Sequence, residues 1–275
     1  MTLPTVVTMG GRERLGEILK AVGVARADDE LLRPNGGSGS DDEWEPEEGE
    51  ELRGDDPRLQ LLPDPATVFV ADQPWLGDVL MPVLRVDLSA VDPTWSGSLP
   101  IVDPVEPVHD VQGSVGDETE ESHDDHACNS WMALRLEPDG RLRFLGRRTY
   151  FLHETLRERG ELTGSPVEDH YVRDALDRAK GQLRLRRTGG KGAQVFTLGG
   201  ELYWGNWTVV APPAAYRYVE PHDHAGPPGV TTADGRPFRL VGRTDRWAWN
   251  DESVASLLVL FEPETRTVLM AVEFD

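Results

Sequence analysis

Cysteine is almost absent from this chain of 275 residues, in which Cys128 stands alone. A lone cysteine cannot close an intramolecular disulfide, which removes the usual staple of small secreted folds and makes a reducing compartment the simpler expectation. Lysine is nearly missing as well: Lys20, Lys180 and Lys191 stand against 25 arginines, the bias of a GC-rich bacterial genome. Long apolar runs are lacking, since the longest, Leu257 to Phe261, falls far short of the roughly 20 residues that span a bilayer. The opening residues show no basic stretch leading into an apolar one, so no signal peptide is expected and the chain is placed in the cytoplasm. Positive charge is also scarce, with 28 basic against 49 acidic side chains and a net charge of -21. That balance excludes a globally basic binder of nucleic acid or anionic membrane. Hydrophobic residues make up 38%, enough to build a core, which argues against disorder throughout.

The negative charge is concentrated. Residues 33–58 carry a net -7 and open with Pro34-Asn-Gly-Gly-Ser-Gly-Ser40, a flexible-linker composition. Residues 103–126 carry -9 with no Lys or Arg, leaving only -5 elsewhere. Few large apolar residues interrupt the first stretch, so burial cannot offset its ordering entropy. Both are expected to be disordered acidic loops, over 33–58 and 103–127. Asn129 to Gly192 has a net +5, so a local anion site stays open there. Arg143, Arg147, Arg184 and Arg186 are its candidate residues, and a clasp of the acidic loops over this basic middle is the competing use of the charge.

Periodicity predicts an amphipathic helix over Gly11 to Val24, part of an N-terminal helical segment 1–32, and then an α+β domain over 59–275. Strands are expected at Ala66 to Ala71 and Val79 to Leu88. Trp131 to Leu136 and Leu142 to Leu145 should form a hairpin around Glu137-Pro-Asp-Gly-Arg141, because Pro fixes the turn entry and Gly takes positive φ. Helical spacing marks Tyr150 to Arg159 and Pro166 to Lys180, the latter with Val167, Tyr171, Ala175 and Leu176 recurring. Gln182 to Arg187 and Ala193 to Leu198 alternate like strands around Thr188-Gly-Gly-Lys-Gly192. Phe238 to Val241 is a further strand, and Ser256 to Glu262 with Arg266 to Phe274 a closing hairpin whose continuously apolar first strand belongs inside a sheet. The class is α+β, mainly antiparallel sheet built from hairpins, with a few short helices.

Chemistry-bearing constellations are few. His123, Asp125, His126 and Cys128 offer imidazole, carboxylate and thiol ligands for a divalent metal, with His222 and His224 as distant partners. Such a site needs its ligands to converge, and the same residues also read as solvated polar turns. Cys128 beside His126 could be a thiol and its base, or a small buried hydrophobe. No Gly-x-Ser-x-Gly elbow occurs, and the Gly-rich 188–192 stretch lacks the spacing of a phosphate loop. Tyr203, Trp204 and Trp207 follow paired glycines, and with Trp247 and Trp249 they could wall a shallow ligand pocket or belong to the core.

Leu198-Gly-Gly-Glu-Leu-Tyr-Trp204, the prolines Pro212-Pro213, the strand Arg236-Pro-Phe-Arg-Leu-Val241 and the terminal apolar strand together resemble the YwqG-like bacterial proteins over the last 80 or so residues. Leu202 stands where that family usually has proline, and Gly242 where a glutamine is expected. The resemblance implies a compact, β-rich cytoplasmic fold without an established catalytic role, and it carries no functional residue across.

The expected function is non-catalytic binding of a basic protein partner, of the kind an antitoxin or immunity protein performs, with no membrane and no direct nucleic-acid contact. The alternative is a metal-assisted hydrolase built on the cluster at 123–128.

Overall fold

The computed structural model describes residues 47–106, 114–220, 226–245, 249 and 255–274. The expected helix at 11–24 and the linker at 34–40 lie outside them. In chain order the strands are β1 (Glu50–Arg53), β2 (Leu59–Leu61), β3 (Leu80–Asp87), β4 (Ser98–Pro104), β5 (Ala127–Cys128), β6 (Trp131–Leu136), β7 (Leu142–Phe144), β8 (Gln194–Leu198), β9 (Tyr216–Val219), β10 (Gly229–Thr232), β11 (Arg239–Asp245), β12 (Ala255–Glu262) and β13 (Thr267–Phe274). The helices are α1 (Pro65–Val68), α2 (Leu76–Val79), α3 (Leu152–Arg159) and α4 (Pro166–Thr188), besides short 3-10 turns. The fold is α+β and sheet-dominated. None of the described helices is long and apolar enough to cross a membrane.

An antiparallel sheet in the order β1-β8-β11-β12-β13-β6-β5, with β7 also on β6, forms the centre. The period-2 alternation of a strand explains how it is covered. Leu257, Val259 and Phe261 of β12, Val268, Met270 and Val272 of β13, and Met132 and Leu134 of β6 join one apolar cluster. Their neighbours Leu258, Leu260, Leu269, Ala271, Trp131 and Ala133 join another. The first face is covered by the three-stranded sheet β2-β3-β4, through Leu84, Val86, Leu99 and Ile101. The second is covered by Tyr216 and Val230 of the β9-β10 hairpin together with Leu202, Trp207 and Phe238. A run that is apolar at every position must have both faces buried, and Leu257 to Phe261 within β12 do.

Several expectations are corrected. The acidic stretch 33–58 is not one disordered loop: Glu50–Arg53 is strand β1, paired antiparallel with β8, and Leu52 is buried in the core. The ordered body therefore begins before residue 59. The described parts of 103–127 are likewise built into the fold, with Asp103 inside β4, a 3-10 turn over Asp117–Ser122, and Ala127–Cys128 as β5, while residues 107–113 lie outside the described residues. Its carboxylates meet the basic middle: Asp103 pairs with Arg178 at 2.6 Å and Glu121 with Arg159 at 2.7 Å.

Residues 66–71 are not a strand. Asp64 accepts from the Ala66 N–H at 3.0 Å and caps α1, after which Phe69 makes only a single bridge to Leu142. Gln182 to Arg187 is helical, because α4 runs on to Thr188 and ends on Gly189 in the left-handed conformation. The alternation there is also helical spacing, since Gly181 and Leu185 continue the buried row Val167, His170, Asp174 and Arg178. The start of α4 is capped twice: Ser165 Oγ accepts from the Glu168 N–H at 3.1 Å, and the Glu168 carboxylate accepts from the Gly164 N–H, one residue before the cap, at 2.6 Å.

Candidate functional site

Two open concavities among the described residues sit where the 47–49 segment crosses the paired glycines after β8. Gly200 has φ +86°, and a Cβ there would lie 2.7 Å from Gly49 N and 2.9 Å from Glu47 O, so only glycine lets the two backbones meet. The crossing is closed reciprocally. Glu201 N–H donates to Glu47 O at 3.0 Å, and Glu47 N–H donates to the Glu201 carboxylate at 3.1 Å. On one side lies a cavity of about 370 Å³ whose walls include Glu47, Glu201, Pro227, Pro228, Phe238 and Arg239. On the other lies one of about 230 Å³ lined by Glu47, Glu48, Thr197, Glu201, Tyr203 and Arg243. The two share Glu47, Gly199, Glu201 and Leu240 in their walls, and together they hold three carboxylates, Glu47, Glu48 and Glu201, against Arg239 and Arg243, the smaller cavity being the groove in which all three carboxylates meet.

Both cations are already engaged. Arg239 pairs with Asp92 and lies 5.2 Å from the Trp95 ring, while Arg243 lies 5.4 Å from the Tyr203 ring. Tyr203 donates its hydroxyl to Glu273, and burial with that carboxylate beside it pushes the phenol well above its ordinary range. Tyr203 is therefore a fixed wall and not an acid-base group.

The aromatic residues divide. Tyr203 lines the groove, whereas Trp207 is buried, donates Nε1–H to Tyr203 O at 2.9 Å, and packs edge-on against Trp131 and Tyr218. Trp204 packs edge-on against Tyr218 at 6.3 Å. Trp247 lies outside the described residues. Trp249 is core: its indole N–H donates to Asp103 at 2.9 Å.

The metal cluster is not assembled. His123 uses Nε2 on Gly116 O at 2.9 Å, His126 uses Nδ1 on the Tyr216 hydroxyl at 3.1 Å, and Asp125 is exposed. Among the described residues no group of three or more His, Cys, Asp or Glu could hold a metal ion; His222 and His224 lie outside them. Burial, with Asp124 nearby, pushes the Cys128 thiol up to about 12, the reverse of what a nucleophilic thiol requires. The four candidate arginines do not line either cavity. Arg143 is held by Asp72 and Glu137, and Arg147 approaches Asp124.

A titratable cluster that sequence inspection does not find lies under α3 and α4. Buried Glu106 accepts from the Tyr171 hydroxyl at 2.8 Å and from the His153 N–H at 3.4 Å, and burial raises its carboxyl to about 7. Glu154 is sealed beside it. Burial alone would raise its carboxyl, but hydrogen bonds from His153 and Arg148 outweigh that and hold it low. Shifts of this kind mark catalytic groups where substrate can reach them. Here neither cavity reaches the cluster, and its groups hold helices to the sheet. The groove's Glu47 and Glu48 escaped notice because composition assigns them to a loop; only the pairing of β1 with β8 brings them to Glu201. Compared with protein-family models, with curated proteins and with solved structures, the chain matches none.

Proposed function

We propose that the protein acts by binding a basic protein partner, as an antitoxin- or immunity-like inhibitor would, and that the groove at Gly199-Gly200 receives Lys or Arg side chains of that partner. The observation that carries this reading is the convergence of Glu47, Glu48 and Glu201 on one open groove with the Tyr203 ring as its wall. Three carboxylates against one guanidinium, that of Arg243 over the Tyr203 ring, leave the groove net negative, which suits an incoming ammonium or guanidinium group. A net charge of -21 steers a basic partner toward the molecule from beyond contact distance.

The test is co-purification of the full chain from its native host under gentle lysis. A stoichiometric basic protein should be recovered, with affinity falling as salt rises. Charge reversal by Glu47→Lys with Glu48→Lys should weaken it at least about tenfold. Recovery of no salt-sensitive partner, or one indifferent to both reversals, would overturn the reading.

A further inference from the structure

Helix α4 is turned inside out. Its buried row includes His170, Asp174 and Arg178, while Val172, Leu176 and Leu183 face solvent at 58%, 60% and 54% exposure. At about 100° per residue these three fall within one narrow stripe, with exposed Ala175 and Ala179 beside them. The ordinary arrangement for a surface helix is the opposite, so the outward stripe calls for a cover.

We infer that the cover is a second copy of this chain, its α4 packed antiparallel on the first about a two-fold axis crossing between Asp177 and Arg178. The sequence of the helix is self-complementary about that point. Val172 comes opposite Leu183, and Leu176 opposite Ala179, so large residues meet large at the ends and large meets small at the centre. The small side chains of Ala175 and Ala179 let the helix axes approach closely. The charges flanking the stripe obey the same symmetry: on one flank Glu168 comes opposite Arg186, and on the other Asp169 comes opposite Arg187. Parallel pairing would set acid on acid and base on base. An isologous dimer needs one surface that complements itself under two-fold rotation, and this helix has it. The helix dipoles also oppose favourably when antiparallel. A 23-residue helix is about 34 Å long, and a seam of that length lies at the small end of stable interfaces.

Sedimentation velocity of the full chain from about 1 to 200 µM tests this. A concentration-dependent shift from monomer to dimer is expected. Leu176→Asp with Leu183→Asp should raise the dissociation constant at least about fiftyfold. The thermal unfolding of the dilute monomer should stay unchanged, because both side chains are solvent-exposed there. Asp169→Arg alone and Arg187→Asp alone should each weaken the dimer, and the two together should restore it, since the pairs re-form across the axis. A monomer at every concentration, a dimer indifferent to the leucine substitutions, or a charge swap that fails to restore association would each overturn the proposal.

Discussion

Arg178 Nη1 lies 2.6 Å from Asp103 Oδ2, joining the middle of α4 to the end of β4 with both side chains sealed from water. Arg178 also bonds Asp174 one turn earlier on the helix and donates to Pro104 O at 2.9 Å, and Asp103 accepts from the Trp249 indole. This charged row shares the docking face of α4 with buried Val167, Gly181 and Leu185, while Leu176 and Leu183 face solvent on the other side. Removing one member of a buried pair strands the other's charge in low dielectric.

Arg178→Ala should therefore destabilise the protein by about 3–5 kcal/mol, measured by urea unfolding. Asp103→Asn combined with Arg178→Met should cost less than the sum of the separate changes, because neither charge is then left alone.

Glu106 sets a pH dependence with an uncommon sign. Its folded carboxyl titrates at about 7 against an ordinary value of 4.5, so the folded state holds the proton more tightly than the unfolded one. The stability from protonated Glu106 is complete below about pH 4.5 and is lost as pH rises toward 7. Glu106→Gln keeps an acceptor for Tyr171 and removes the titration. The substitution should raise stability by about 1–2 kcal/mol at pH 8 and leave it nearly unchanged at pH 5, read from melting curves at the two pH values.

Cys128 should be nearly inert. Its thiol, shifted up to about 12, is almost wholly protonated at pH 8, and Sγ is turned to Ala211 O at 3.4 Å. Alkylation of the native protein should run at least about a hundredfold slower than of the urea-unfolded chain. Comparable rates would restore Cys128 as a candidate nucleophile.

Gly181 is the point where α4 touches the backbone at Trp249: a Cβ would lie 2.3 Å from the Trp249 carbonyl oxygen. Alanine would favour the helix by nearly 1 kcal/mol through propensity alone. The contact reverses that sign, and Gly181→Ala should cost about 2 kcal/mol net and redden the tryptophan emission as Trp249 is displaced.

The fold class was legible in the sequence, and so were β3, the β6-β7 hairpin and the β12-β13 hairpin, because alternation and Pro-Gly turns are local signals that a sheet with buried faces preserves. Residues 182–187 carry both signals, because leucine and arginine alternate there while also falling at helical spacing, and only the docking surface for Gly181 and Leu185 chooses between the two periods. The aromatic cluster was legible as a group but not in its division, since whether a tryptophan walls a groove or fills a core depends on what crosses over it. Length, charge and the single cysteine, all local or summed properties, were settled by sequence alone. The acidic stretches were a different matter. Composition describes the solvation of a segment in isolation, whereas the tertiary structure supplies the partners: β8 for Glu50–Arg53 and Arg178 for Asp103. Those long-range pairings decided that much of the negative charge is built into the body, and they brought Glu47, Glu48 and Glu201 to one groove.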